Sequence, residues 1–158
     1  MSTVTAAPTG QALEIEQLAV TYGANAALSR VDAEIRKLIA EIPAENRKMV
    51  TNHDAFGYFI ERYGLTFVGA VIPSSNKDAQ ASAKELAELQ DLIKRENVKV
   101  IFAEEEVDPK VARELAKDTN VTIVEGLFAD SLGKKGSGAD TIDGMLLFNA
   151  RKIAEALK

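Results

Sequence analysis

Met49-Val50-Thr51-Asn52-His53-Asp54-Ala55-Phe56-Gly57-Tyr58-Phe59-Ile60-Glu61-Arg62-Tyr63-Gly64 is the stretch on which the fold turns. Met49 to Thr51 reads as a short buried strand, because apolar residues there carry no helical spacing. Asp54 is the expected N-cap of the helix that follows. Phe56, Phe59, Ile60 and Tyr63 line one face of that helix, and Gly64 supplies its C-terminal stop. His53, the only histidine in the chain, falls in the strand-to-helix turn, where an imidazole can face a crevice rather than a core.

The same alternation continues downstream. Thr66-Phe67-Val68-Gly69-Ala70-Val71 is rich in β-favouring residues and reads as a second strand. A loop holding Pro73, Ser74, Ser75 and Asn76 leads to Ser82, with Glu85 three positions on, the pattern of a capping box. Leu86, Leu89, Leu92 and Ile93 carry that helix to about Glu96. Val98-Lys99-Val100-Ile101-Phe102 is the third strand, Asp108-Pro109 is an N-cap and first-turn proline, and Val121-Thr122-Ile123-Val124 is the fourth strand. Ala129 to Ala139 reads as a mobile glycine-rich loop, with Asp140 as a candidate cap for a last helix through Met145, Leu146, Ile153 and Leu157.

Upstream, Ala33, Ile35, Leu38, Ile39 and Ile42 recur at helical spacing from Val31 to Ile42, and Pro43 ends the run. Strands separated by helical crossovers predict an α/β domain, a four-stranded parallel sheet with helices on both faces. Residues 1–29 are expected to form a partly flexible N-terminal segment, of which residues 1 to about 25 add little to the core, and residues 30–158 a single lobe. Leu13 to Val20 alternates like a strand and stops at Gly23.

Composition removes several function classes. The chain has 158 residues, 46% of them hydrophobic, which suits one ordinary core and not two large ones. A net charge of −5 leaves no basic surplus for nucleic acid. The absence of cysteine excludes disulfides, thiolate metal sites and cysteine nucleophiles. No apolar run approaches the roughly 20 residues of a membrane span. Met1 to Gly10 shows neither the basic nor the apolar region of a secretory signal, so the chain as written is expected in the cytoplasm.

Ligands of open parallel sheets gather at the carboxyl ends of the strands. His53 after the first strand, Glu104-Glu105-Glu106 after the third and Asp130 after the fourth all fall there. One imidazole and one carboxylate suit zinc or manganese as part of a ligand set, while a lone histidine beside aromatics also serves as a hydrogen-bonded boundary residue. Glu104 to Glu106 reads as a solvated charge cluster. Asp130-Ser131 reads equally as an Asx turn. Gly133, Gly136 and Gly138 lack phosphate-loop spacing, and Asn149 on the apolar stripe of the last helix reads as a structural buried amide. Without a G-x-S-x-G elbow or another acid/base constellation, no enzyme is expected.

Five ordered pieces carry a resemblance: Thr51-Asn52-His53-Asp54-Ala55-Phe56-Gly57-Tyr58-Phe59, Tyr63-Gly64-Leu65, Ile101-Phe102-Ala103-Glu104, Leu127-Phe128-Ala129-Asp130-Ser131-Leu132-Gly133, and Met145 through Asn149. From Ala33 to Lys158 the chain resembles the C-terminal lobe of the solute-binding proteins of zinc and manganese ABC importers. That resemblance implies sheet order 2-1-3-4, with Val31 to Ile42 as the end of a long helix linking two lobes. It implies that His53 and Asp130 match metal ligands of this lobe, whereas Glu104 matches a typical family residue with no ligand role assigned. Leu13 to Gly23 is weakly similar to the opening of ABC-transporter ATPase subunits, where a tyrosine before a glycine stacks on adenine, but no G-x-x-x-x-G-K-[ST] loop occurs.

The same resemblance implies two further histidine ligands on a partner lobe, and this chain has no second histidine. The expectation is a truncated or rearranged receptor lobe that binds zinc or manganese weakly, has an importer membrane subunit as a family partner, and binds no nucleic acid. The alternative is a structural or interaction module that self-associates through the exposed inter-lobe face without metal, with a homodimer as the closed arrangement.

Overall fold

A computed structural model describes residues 26–72 and 81–158. Its elements are helix α1 (Ala26–Ala40), a 3-10 turn (Ala44–Asn46), strand β1 (Lys48–His53), helix α2 (Gly57–Tyr63), strand β2 (Thr66–Ile72), helix α3 (Ala83–Arg95), strand β3 (Val100–Glu104), helix α4 (Lys110–Thr119), strand β4 (Thr122–Leu127) and helix α5 (Ile142–Leu157). The four strands form one sheet in the order β2-β1-β3-β4, and every neighbouring pair is parallel. The expected fold class and strand order are therefore observed. The strand-like reading of Leu13 to Gly23 and the loop from Pro73 to Asn76 lie outside the described residues.

Alternation along the strands divides the core in two. Met49, Val100, Phe102 and Leu127 point to one face and pack under Ile35 and Ile39 of α1, Phe59 and Ile60 of α2, and Ile153 and Leu157 of α5. Val50, Val71 and Ile101 point to the other face and meet Leu89 and Ile93 of α3 with Ala112 and Leu115 of α4. Both faces of the central strands are thus covered, which is why β3 reads as a continuous apolar run from Val100 to Ala103. Burying each large side chain such as Phe102 or Ile35, both fully inaccessible, contributes roughly 1.5–3 kcal/mol.

Element ends differ from the sequence reading in instructive ways. Helix α1 begins at Ala26 rather than Val31, and Ala33 faces solvent while Val31 joins the buried stripe. Ser82 and Glu85 form the expected reciprocal capping box at α3. Asp54, by contrast, does not cap α2. The Ala55 N–H donates to the His53 carbonyl at 3.2 Å, turning the chain at once, so the helix opens later with Phe56 in the capping position. Asp140 is likewise displaced by Thr141, whose hydroxyl accepts from the Gly144 N–H, while the Asp140 carboxylate accepts from Gly136. Asp108, the expected cap, accepts from the Lys110 N–H but stands one position before the observed cap, which is Pro109.

A partly buried charge cluster joins α1 to α2. Burial favours protonation of Asp32, but hydrogen bonds and charge from Arg36 and Arg62 outweigh it and hold the carboxyl below its ordinary range. Arg36 also lies over the Tyr63 ring, whose phenol is pushed up to about 12 by burial and by the Asp32 charge.

Gly64 closes α2 at φ 70°, with its own N–H and that of Leu65 both donating to the Ile60 carbonyl. Open space surrounds the position where a Cβ would stand, so any penalty for a side chain is conformational alone. Gly64→Ala is expected to lower unfolding free energy by roughly 1–2 kcal/mol, the cost of the left-handed conformation for an L-residue, with no change in denaturant m-value. Urea titration followed by circular dichroism checks it.

Candidate metal-facing site

Order β2-β1-β3-β4 places the reversal of winding between β1 and β3, since β1 leads outward to β2 and β3 leads outward to β4. A crevice at such a switch point, beyond the carboxyl ends of the strands, is where open α/β sheets hold ligands. His53 is the last residue of β1 and Glu104 the last residue of β3. The two strands are in register at Val50–Ile101 and Thr51–Phe102, and beyond Thr51 side chains continue what the backbone ladder leaves off. The Asn52 amide oxygen accepts from the Glu104 N–H at 3.0 Å. One bond further, His53 Nδ1 lies 3.1 Å from Glu104 Oε2.

This arrangement corrects two sequence-based expectations. His53 sits on the strand rather than in the turn, and only 3% of it is exposed, because β1 extends to pair His53 with Ile72 of β2. Glu104-Glu105-Glu106 is not one solvated cluster. Strand alternation turns Glu104 inward, 3% exposed, leaves Glu105 in solvent and holds Glu106 half-buried. The signal for Glu104 was present in the sequence: a carboxylate that ends an otherwise apolar strand, Ile101-Phe102-Ala103-Glu104, two residues from the core-facing Phe102.

Burial pushes the Glu104 carboxyl above its ordinary range. The hydrogen bond and charge of His53 oppose that shift, while Glu106 and Asp130 reinforce it. Asp130 therefore lies close enough for its charge to be felt at the His53–Glu104 pair. Glu104 Oε1 and Glu106 Oε2 are buried with no hydrogen-bond partner. The edge carries a concentration of negative charge, which favours a cation.

Asp130 belongs to the loop after β4 and is exposed. Two ties fix this loop. The Asn149 side chain of α5 accepts from the Phe128 N–H at 3.1 Å and donates to the Phe128 carbonyl at 2.7 Å. Glu106 accepts from both the backbone N–H and the hydroxyl of Ser131. Asn149 thus takes the structural role expected of it, and Ser131 is held by Glu106 across the crevice mouth. The glycine-rich segment beyond closes on itself through Gly133 N–H to Ala139 O and Ser137 N–H to Lys134 O.

The family model described as ZnuA, zinc-uptake complex component A, periplasmic, matches residues 4–156 and so takes in Leu13 to Gly23. The manganese ABC transporter substrate-binding lipoprotein PsaA of Streptococcus pneumoniae is 32% identical over 130 residues, 82% of this chain and 41% of the relative. The manganese-binding lipoprotein MntA of Bacillus subtilis is 35% identical over 136 residues, 83% of this chain and 44% of the relative. Among solved structures, the periplasmic zinc-binding protein TroA from Treponema pallidum superposes with a TM-score of 0.78 at 32% identity, covering 90% of this chain and 52% of that one. The chain spans about half the length, or less, of these relatives.

Asn149→Leu would leave the Phe128 N–H and carbonyl without their side-chain partner. The expected cost is roughly 1–3 kcal/mol of stability for unsatisfied polar groups, accompanied by faster amide hydrogen exchange at Phe128 to Ser131. Exchange rates in Asn149→Leu equal to those of the parent would show that α5 does not hold the loop.

Proposed function

The chain belongs to the zinc-uptake complex component A family, and from that premise we propose that it forms the metal-facing surface of one lobe of an ABC-importer solute-binding protein, with zinc or manganese as cargo. His53 and Asp130 are the proposed ligands. The lobe is taken as residues 30–158, and residues 1–29 as a lead-in segment. One observation carries this reading: the sheet's switch point gathers the sole histidine and the Asp130 loop at one edge, with Glu104 bonded to the first and feeling the charge of the second. An imidazole nitrogen with carboxylate oxygens is a donor set both metals accept. Handing the ion to an importer membrane subunit is the matching step, and no catalysis is proposed.

Binding by this surface alone is expected to be weak. Among the described residues no group of three or more histidine or carboxylate side chains is placed to hold an ion, whereas a closed zinc site uses four protein ligands. Further ligands must come from water or from a second surface. Calorimetric titration with zinc and with manganese checks the assignment. The parent should bind weakly, His53→Ala and Asp130→Ala should each bind less, and binding should weaken on acidification because a ligating imidazole must be neutral. Undiminished binding by His53→Ala would remove histidine from the site.

A second reading, self-association through the same edge, is favoured by the placement of exposed apolar side chains. Tyr58 follows β1, and Leu132 and Ile142 follow β4, with 75%, 46% and 65% of their surfaces exposed. All three lie on segments that follow the carboxyl ends of strands, and exposed apolar surface of this kind marks faces that a partner covers. If a second copy covers them, sedimentation should show a dimer at high micromolar concentration that Tyr58→Glu/Ile142→Glu converts to monomer. A parent that stays monomeric would count against this reading.

A further inference from the structure

We propose that Glu104 is a positioning residue for His53: its carboxylate takes the Nδ1–H of the imidazole and thereby sets the tautomer that turns Nε2 toward the metal. The inference rests on the metal-binding reading of His53 and adds the group that orients it. A neutral imidazole has one donor and one acceptor nitrogen, so a fixed hydrogen bond at one decides the chemistry of the other. Metal-ligating histidines generally give their second N–H to a carboxylate, a carbonyl or water, which fixes ring orientation and raises ligand basicity.

Geometry makes Glu104 suited to this. Its Oε2 is 3.1 Å from Nδ1, and the two side chains are 1% and 4% exposed, so bulk water competes little for either partner. The backbone that carries Glu104 is itself held. The Glu104 N–H donates to the Asn52 amide oxygen, and the next N–H, of Glu105, donates to the Leu127 carbonyl at 2.8 Å. The register shift at Ala103/Glu104 against β4 falls at this point, where irregular pairing re-aims a side chain. On the other strand the His53 carbonyl accepts from the Thr51 hydroxyl at 2.7 Å and from the Ala55 N–H. The backbones that carry ring and carboxylate are thus fixed on separate strands, and the bond between the two side chains crosses the switch point.

A purely structural buried pair would share the hydrogen bond but would not govern metal affinity, and the experiment separates the two. His53 is the only histidine, so long-range 1H–15N correlation of the untagged, metal-free full chain at pH 8 reads its tautomer without assignment ambiguity. The parent should show a protonated Nδ1 and an unprotonated Nε2. Glu104→Gln, whose amide oxygen still accepts, should keep that tautomer, and Glu104→Ala should shift the ring toward the Nε2–H form. Zinc affinity should fall about 10- to 100-fold in Glu104→Ala, the usual effect of losing such a partner, and less in Glu104→Gln. A proton on Nε2 in the parent would overturn the proposal even if Glu104→Ala failed to fold. Zinc binding reduced in His53→Ala but unchanged in a folded Glu104→Ala would overturn the positioning role alone. Zinc binding unchanged in His53→Ala would instead overturn the metal reading on which it rests.

Discussion

Strands β1 and β3 lie side by side although the chain leaves them toward opposite edges of the sheet, and most of the site follows from that constraint. Crossover helices cover the flanks of a parallel sheet, but where winding reverses, the carboxyl ends of the two central strands are left facing a gap. Backbone groups there still require partners once buried. In this chain side chains answer that requirement: Asn52 takes the Glu104 N–H, and His53 meets the Glu104 carboxylate. The groups that finish the sheet are the same groups that furnish the crevice with chemistry.

Such an edge opposes stability. Taking a carboxylate out of water costs several kcal/mol unless its partners restore what hydration supplied, and Glu104 has a partner at Oε2 but none at Oε1. The nearby Asn52 amide nitrogen is also buried without one. Two apolar clusters, one on each face of the sheet, offset this locally unfavourable arrangement. Burying polar groups without partners at a strand end works against folding, so stability alone does not explain this edge.

The architecture was legible because its signals are local and redundant. Apolar runs in strands, Ser82 with Glu85, and glycine at position 64 each state their element independently, and the strand order needed only the resemblance besides. Caps were read less well. Asp54 and Asp140 have the right chemistry for an N-cap, but their helices start at a point set by tertiary contacts, the turn on the His53 carbonyl and the bond from Gly136 to Asp140. Glu104 was misread for a related reason. Three consecutive glutamates look like a solvated run, and only the pleat of a strand buried on both faces separates the first from the other two. His53 was expected in the turn and lies one step earlier, on the strand, because pairing with Ile72 extends β1 farther than its apolar residues do.

The loop that carries Asp130 shows how a site can be rigid on one side and open on the other. Asn149 and Glu106 anchor its start from α5 and from the end of β3, so Asp130 is presented by fixed backbone rather than by a tip of loop. Asp130 is nevertheless exposed as a residue, while His53 is buried. An ion bound between them would therefore have a protein wall on one side and an unfinished coordination sphere on the other. Because its ligands come from β1 and from beyond β4, such an ion would also tie the middle of the sheet to its edge. Ligand binding confined to the folded state raises stability by mass action, so closure of the open side by a second surface would strengthen metal binding and the fold together.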